Sequence, residues 1–394
     1  MSGQRQLFFE HLAQTSPFPL ALEIEKAEGM YLFDRNGKKY LDLISGIAVS
    51  NMGHANATIN EAVKKQVDKH MHLMVYGELI QSVQVSLATK LASLLPPSLD
   101  SVYFTNSGSE ATEGALKLAK RITGRSDLIA FRNAYHGSTQ GSLSVCGNEE
   151  LKNAFRPLLP GVRILDYNDQ DQLSGINQNT AAVIVEIIQA ESGIILSKND
   201  FLKKLSDRCK ETGTLLIVDE IQTGMMRTGS LFAFTDEQII PDILLLGKGF
   251  GGGMPLGAFI SSKERMSALT NKPVLGHLTT FGGHPVSCAA AEAMISLLED
   301  PALQNKINNA EKSFKRLLMH NKILEIRGKG LFLCLEFESS EINQDIIRKC
   351  LDRGLFTDWF LFAPHCMRIA PPLIITKEEI EYACEIILDV LNTL

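Results

Sequence analysis

The sequence predicts an α/β fold with a largely parallel sheet and helices on both faces. Three observations carry this. Short apolar runs at 101–105, 128–131, 181–188, 215–218 and 243–246 alternate with helical stretches at 110–123 and 201–212. The runs at 215–218 and 243–246 end abruptly in polar or glycine residues. The chain has 394 residues, 45% hydrophobic and 21% charged, enough for a large core and two to three domains.

Taken in order, Arg35-Asn36-Gly37-Lys38 lies between apolar runs at 30–34 and 39–43, a hairpin signal. Residues 58–69 and 80–95 have helical spacing, and Pro96-Pro97 stops the second. The alternating region follows, with a further strand at 256–261. Beyond residue 285 the pattern changes to helices at 286–298, 303–320, 342–352 and 377–391, with strands at 323–327 and 331–337. That tail predicts a smaller α+β domain.

Lys and Arg total 39 against 45 Asp and Glu, a net charge of −6, which lacks the basic footprint of a nucleic-acid binder. Seven scattered cysteines form no Cys-x-x-Cys pair, so reduced thiols in a cytoplasmic protein are expected. Residues 1–19 have no apolar signal-peptide core, and the longest apolar stretch, 278–298, is broken by His284, Pro285 and Glu292. No membrane span and no metal site are expected; His70 and His72 cannot share one helical face and read as surface groups.

In an open α/β sheet, ligands gather at the carboxyl ends of the strands. After 101–105 comes Asn106-Ser107-Gly108-Ser109-Glu110-Ala111 at a helix start. Free N–H groups and the helix dipole there suit a phosphate, although Ser107 or Ser109 also serves as a plain cap. After 215–218 comes Asp219-Glu220, a strand-end carboxylate or a solvated terminus. After 243–246 comes Gly247-Lys248-Gly249, which presents an unobstructed lysine whose burial would favour Schiff-base chemistry. Gly247, Gly249 and Gly252 also match a dinucleotide fingerprint, but a strand follows instead of the required helix. A phosphate cradle, a strand-end carboxylate and a strand-end lysine together are what pyridoxal phosphate needs.

The order and surroundings of these residues resemble the class III (omega) aminotransferases of pyridoxal-phosphate fold type I, including the acetylornithine, ornithine and 4-aminobutyrate group. The resemblance runs from about residue 20 to 391. It is carried by Asn106–Ala111, Tyr135-His136-Gly137, Val218-Asp219-Glu220-Ile221-Gln222-Thr223-Gly224, Leu246-Gly247-Lys248-Gly249 and Thr280-Phe281-Gly282-Gly283. It implies a homodimer with shared active sites and a mostly parallel seven-stranded large-domain sheet. Residues 1–50 would join the small domain, 51–285 form the large domain, and 286–394 complete the small one.

The resemblance also implies roles. Lys248 carries the cofactor and moves the proton, while Asp219 partners the pyridine nitrogen. Gln222 contacts the ring hydroxyl, and Ser107, Gly108 and Ser109 hold the phosphate. Tyr135 stacks on the ring with His136 beside it, and Thr280 reaches the neighbouring subunit's phosphate. Glu191 and Arg368 match a pair in which the arginine receives a substrate carboxylate and the glutamate otherwise neutralises it; an ordinary salt bridge is the plain alternative. Thr279 stands where some relatives touch substrate. The reaction implied is ping-pong transfer from an amino acid or ω-amine to a 2-oxo acid, with Arg368 suggesting 2-oxoglutarate. An aminomutase, racemase or decarboxylase on the same scaffold is the alternative.

Several positions depart from the family pattern. Ser138 replaces an arginine that binds a second carboxylate, and serine cannot make that bidentate contact. The donor is therefore left open. Ile187, Ala190, Ser192, Met226, His284 and the Ala55-Asn56-Ala57 turn also differ, and none removes a cofactor group.

Overall fold

The computed structural model describes residues 3–394. Its centre is a seven-stranded sheet ordered Ser101–Thr105, Gly257–Ser261, Ile243–Leu246, Leu215–Asp219, Thr180–Glu186, Asp127–Phe131 and Val162–Leu165. Only Gly257–Ser261 runs antiparallel to its neighbours. The four strands from Thr180–Glu186 to Gly257–Ser261 are buried along their whole length, which explains why they read as continuous apolar runs.

Helices cover both faces. Gly108–Thr123 is capped by the Ser107 hydroxyl, which accepts the Glu110 N–H, and ends at left-handed Gly124. It lies so close to the sheet that a Cβ on Gly114 would stand 2.2 Å from the Phe259 ring. Two departures from the family pattern act as caps. The Asn56 carboxamide accepts the N–H groups of Thr58 and Ile59 at the start of Ala57–Lys69. His284 Nδ1 accepts the Val286 N–H at the start of Pro285–Leu298. That last helix packs on Ala57–Lys69 and Ser82–Leu94.

Two smaller sheets flank this body. Ile24–Glu28, Tyr31–Asp34 and Lys39–Asp42 form an antiparallel meander, joined in parallel by Leu355–Phe356 from the far end of the chain. Glu325–Lys329, Phe332–Glu336, Ala363–Ile369 and Trp359–Phe360 form the other. Leu303–Leu317, Ser340–Asp352 and Lys377–Asn392 are the tail's remaining long helices. Sequence reading missed the Val162–Leu165 edge strand and, more consequentially, Ala363–Ile369.

The turn after Leu215–Asp219 wraps an unforeseen anchor. Arg227 is fully buried, and its guanidinium donates to the Leu331 and Pro371 carbonyls, to Ser45 Oγ and to Asn51 Oδ1. Burial pulls its pKa down to about 9. Met225 and Met226, expected as packing, are buried and both left-handed, a strained backbone that this anchor helps fix.

His72 is exposed as expected, stacks on His284 and meets Phe281 at a tilt, but His70 is half-buried and its Nε2 has no partner. All seven cysteines are free and buried. No described helix is long and apolar enough to cross a membrane. Glu336, His365 and Cys366 cluster closely enough to suggest a metal, but the Arg327 guanidinium bonds both Glu336 and Cys366 and fills the cluster with positive charge.

Candidate active site

The carboxyl ends of five parallel strands converge on a cavity of about 200 Å³. Ser107, Gly108 and Ser109 follow the first strand and open a helix. Tyr135 and His136 follow Asp127–Phe131, Glu186 ends its own strand, Asp219 and Gln222 follow the next, and Lys248 the last.

Lys248 sits two residues past Ile243–Leu246 in a left-handed conformation, φ +48°, which costs about 1–2 kcal/mol for a residue with a side chain. Its glycine neighbours make that bend possible. A Cβ at Gly249 would meet the Asn51 side chain at 2.8 Å, and one at Gly247 would press on Ile221 and Gly108. Lys248 Nζ donates to Gln222 Oε1 at 2.5 Å. Burial lowers the amine's pKa, and the nearby Glu191 carboxylate opposes that shift. After the lysine comes the short turn Lys248–Gly251 and then the Gly257–Ser261 strand, so a dinucleotide fingerprint lacks its helix here.

Asp219 is buried and held from two sides. Its Oδ2 meets His136 Nδ1 at 2.7 Å, and its Oδ1 accepts the Ile221 N–H at 2.9 Å. The sequence placed His136 beside Tyr135 without giving it this contact. Glu186 and Glu220 flank Asp219, and burial pushes both carboxyls up to about 7. Glu186 accepts the N–H groups of Tyr135 and Ala190, pinning two loops of the site. Glu220 accepts the Phe234 N–H and the Thr223 hydroxyl, and so braces the turn.

The phosphate-type loop and the Tyr135-His136-Gly137 turn pack against each other. Gly137 has φ +126°, and a Cβ there would lie 2.2 Å from Ser109 Oγ. A Cβ at Gly108 would strike Ile221 at 2.7 Å. Glu113, unforeseen, accepts the Gly141 and Ser142 N–H groups and the Thr139 hydroxyl, anchoring the segment that follows.

A second cavity, about 380 Å³, adjoins through Lys248 and Tyr135 and is lined by Glu191, Asp358 and Arg368. Arg368 lies on Ala363–Ile369 and is 1% exposed. It donates Nη1 and Nη2 to Glu191 at 3.2–3.3 Å and Nε to Asp358 at 2.8 Å, with its guanidinium 4.3 Å from the centre of the Phe360 ring. Burial acts to raise the Glu191 pKa, but Arg368 and then Lys248 outweigh it and hold the carboxyl below its usual range. Asp358 was not foreseen. Burial leaves its pKa raised despite Arg368.

Two of the named threonines stand elsewhere. Thr279 Oγ1 accepts from Asn106 Nδ2 at 2.9 Å, bracing the residue before the phosphate-type loop, and lines neither cavity. Thr280 is exposed and also lines neither.

Pyridoxal phosphate fits this donor set. Gln222 Nε2 and His136 Nε2 are buried without partners on residues lining the first cavity, beside a lysine, a carboxylate and a helix N-terminus. The fold and site therefore define a pyridoxal-phosphate-dependent enzyme of fold type I. Residues 13–391 match the family Aminotransferase class-III. The acetylornithine aminotransferase of Bacillus subtilis (strain 168) is 39% identical over 369 residues, covering 92% of this chain and 93% of that protein. The acetylornithine aminotransferase of Methanopyrus kandleri is 38% identical over 387 residues, 97% of each. In structure, the ornithine aminotransferase of Toxoplasma gondii, crystallised with partial pyridoxal-phosphate occupancy, aligns with a TM-score of 0.91 at 30% identity over 98% of this chain and 93% of that one. The chain belongs to the class III aminotransferases and is a pyridoxal-phosphate-dependent transaminase. These relatives do not favour the aminomutase, racemase or decarboxylase alternative.

Proposed function

We propose that this chain transfers an amino group from an amino acid or ω-amine to a 2-oxo acid through one site that both substrates enter in turn. The observation that carries the reading is the convergence of Lys248, the Asp219–His136 pair and the Glu191–Arg368 pair around two adjoining cavities. Bound pyridoxal phosphate supplies a carbonyl for the amine and a ring that withdraws electrons from the substrate carbon. Ser107, Gly108 and Ser109 would hold its phosphate at the helix N-terminus, with Tyr135 available to the ring and Gln222 to its hydroxyl. Asp219, steadied by His136, would keep the ring nitrogen protonated.

Lys248 Nζ removes the proton from the substrate carbon that bears the nitrogen. Desolvation lowers its pKa and so raises the fraction present as free base. Arg368 receives the oxo acid's carboxylate after Glu191 releases it, and 2-oxoglutarate is the first acceptor to assay. Thr279 would support the site through Asn106, and Thr280 would serve a neighbouring subunit of a homodimer. The division into residues 1–50 plus 286–394 and residues 51–285 is part of the same reading, supported by the pairing of Leu355–Phe356 with Lys39–Asp42. A soluble cytoplasmic enzyme without nucleic-acid or membrane partners agrees with the net charge of −6 and the free cysteines.

The test is a half-reaction. The cofactor-loaded protein is mixed, without acceptor, with ornithine, acetylornithine, lysine, 4-aminobutyrate, β-alanine, glutamate and simple alkylamines. Conversion of the visible cofactor band to that of pyridoxamine phosphate by any of them supports transfer. Bound cofactor that none of them converts refutes the donor assignment.

A further inference from the structure

Tyr135 and Leu361 line two cavities in common. One holds Lys248 and Arg368. The other, about 310 Å³, lies beside Ser138 and is walled by Leu143, Leu151 and Phe155. Among the described residues, no charged side chain lines this 310 Å³ cavity, whose polar side chains are Tyr135, Ser138 and Gln140. On the adjoining segment, buried Lys152 donates to the Cys146 carbonyl and pairs with Glu149, and Arg156 pairs with Glu149 at the surface, outside the cavity lining. Leu361 ties the wall to the ion pair, because its N–H donates to Glu191 Oε2 at 3.1 Å.

We propose that this pocket seats the part of the amino donor remote from the transferred nitrogen, and that this part is an uncharged, apolar chain. The proposal rests on the transfer reading given above. The physical argument is one of solvation. A carboxylate placed against Leu143, Leu151 and Phe155 would give up part of its water and find no cation, only the Gln140 amide and hydroxyl groups, a net penalty. An alkyl chain entering the same space gains about fourfold in affinity per buried methylene. Of the residues lining these cavities, Arg368 is the one guanidinium able to hold a carboxylate, and it stands on the Lys248 side.

The experiment compares matched pairs in the acceptor-free half-reaction: hexylamine with 6-aminohexanoate, and octylamine with 8-aminooctanoate. The alkylamines are expected to react at least tenfold more efficiently, with kcat/KM rising about fourfold per methylene from butylamine until the pocket is filled. Ser138→Arg, at an exposed position, is expected to reverse the preference by tenfold or more. Calorimetric binding of hexanoate and adipate to the loaded protein reads the pocket without turnover. Hexanoate is expected to bind more tightly to the native protein, and adipate to gain at least tenfold in Ser138→Arg. Equal or better reaction of the ω-amino acids, or adipate binding as tightly as hexanoate to the native protein, would overturn the proposal. If no amine reacts at all, the donor reading fails, and the hexanoate–adipate comparison still decides the pocket.

Discussion

Glu191→Gln should tighten the binding of a simple carboxylate at Arg368. Glu191 contacts the guanidinium through both carboxylate oxygens at 3.2–3.3 Å, while Asp358 engages only Nε. An incoming carboxylate must displace Glu191, giving up charge-assisted hydrogen bonds worth about 1.5–3 kcal/mol. A glutamine keeps the shape and one acceptor but removes the charge, so about 1–2 kcal/mol of that competition should disappear. This corresponds to roughly 5–30-fold tighter binding. Asp358 remains, so Arg368 stays partly paired and the fold should lose only about 2–3 kcal/mol. The assay is calorimetric titration of hexanoate into native and variant protein at pH 7.5, with urea unfolding alongside. The pH follows from the sign of the shift. Glu191 has a lowered folded pKa, so its stabilising charge is present above the ordinary value of 4.5 and lost only as pH falls through the folded value. At pH 7.5 native Glu191 and hexanoate are both ionised. Unchanged or weaker hexanoate binding by a folded Glu191→Gln would show that Glu191 buttresses Arg368 instead of competing for it.

Further predictions follow from the same geometry. Lys248→Ala should abolish transfer while unfolding in urea near the native midpoint; normal turnover in the variant would remove the lysine from the chemistry. Gly137→Ala should weaken pyridoxal-phosphate affinity at least tenfold by titration, since its Cβ would lie 2.2 Å from Ser109 Oγ on a left-handed backbone. Arg227→Met should cost about 3–5 kcal/mol, because it strands the Leu331 and Pro371 carbonyls inside the protein. Glu220→Gln should unfold later than native at pH 8 but not at pH 5. A carboxyl whose folded pKa is raised from 4.5 to about 7 adds a penalty that grows as pH rises between those values and then levels off, on the order of 3 kcal/mol here. Equal differences at both pH values would contradict that shift.

What could be read beforehand divides by how far apart in sequence the cooperating atoms lie. Lys248, Asp219 and the Ser107–Ser109 turn were legible because each follows a short apolar strand, and a parallel sheet puts all such ends on one side. The contacts among them were not. His136 and Asp219 are 83 positions apart, and only the sheet, with Thr180–Glu186 between their two strands, brings Nδ1 within 2.7 Å of Oδ2. The Arg368 strand was hidden for a related reason. Its sequence, Ala-Pro-His-Cys-Met-Arg-Ile, puts a proline and polar residues where an apolar pattern announces a strand. Its arginine is there for Glu191 and Asp358, so the requirement that made it functional also erased its periodicity. Asn56 and His284 show the converse. Read against a family pattern they were unexplained departures, yet each supplies the local acceptor that its helix start needs. Ser138 is a departure of another kind. It caps no helix, its N–H makes only a long 3.4 Å contact with Ser109 Oγ, its side chain hydrogen-bonds only Tyr135, itself a cavity residue, and the cavity it lines is mostly apolar. A departure that local structure does not require is one where substrate chemistry is free to set the residue.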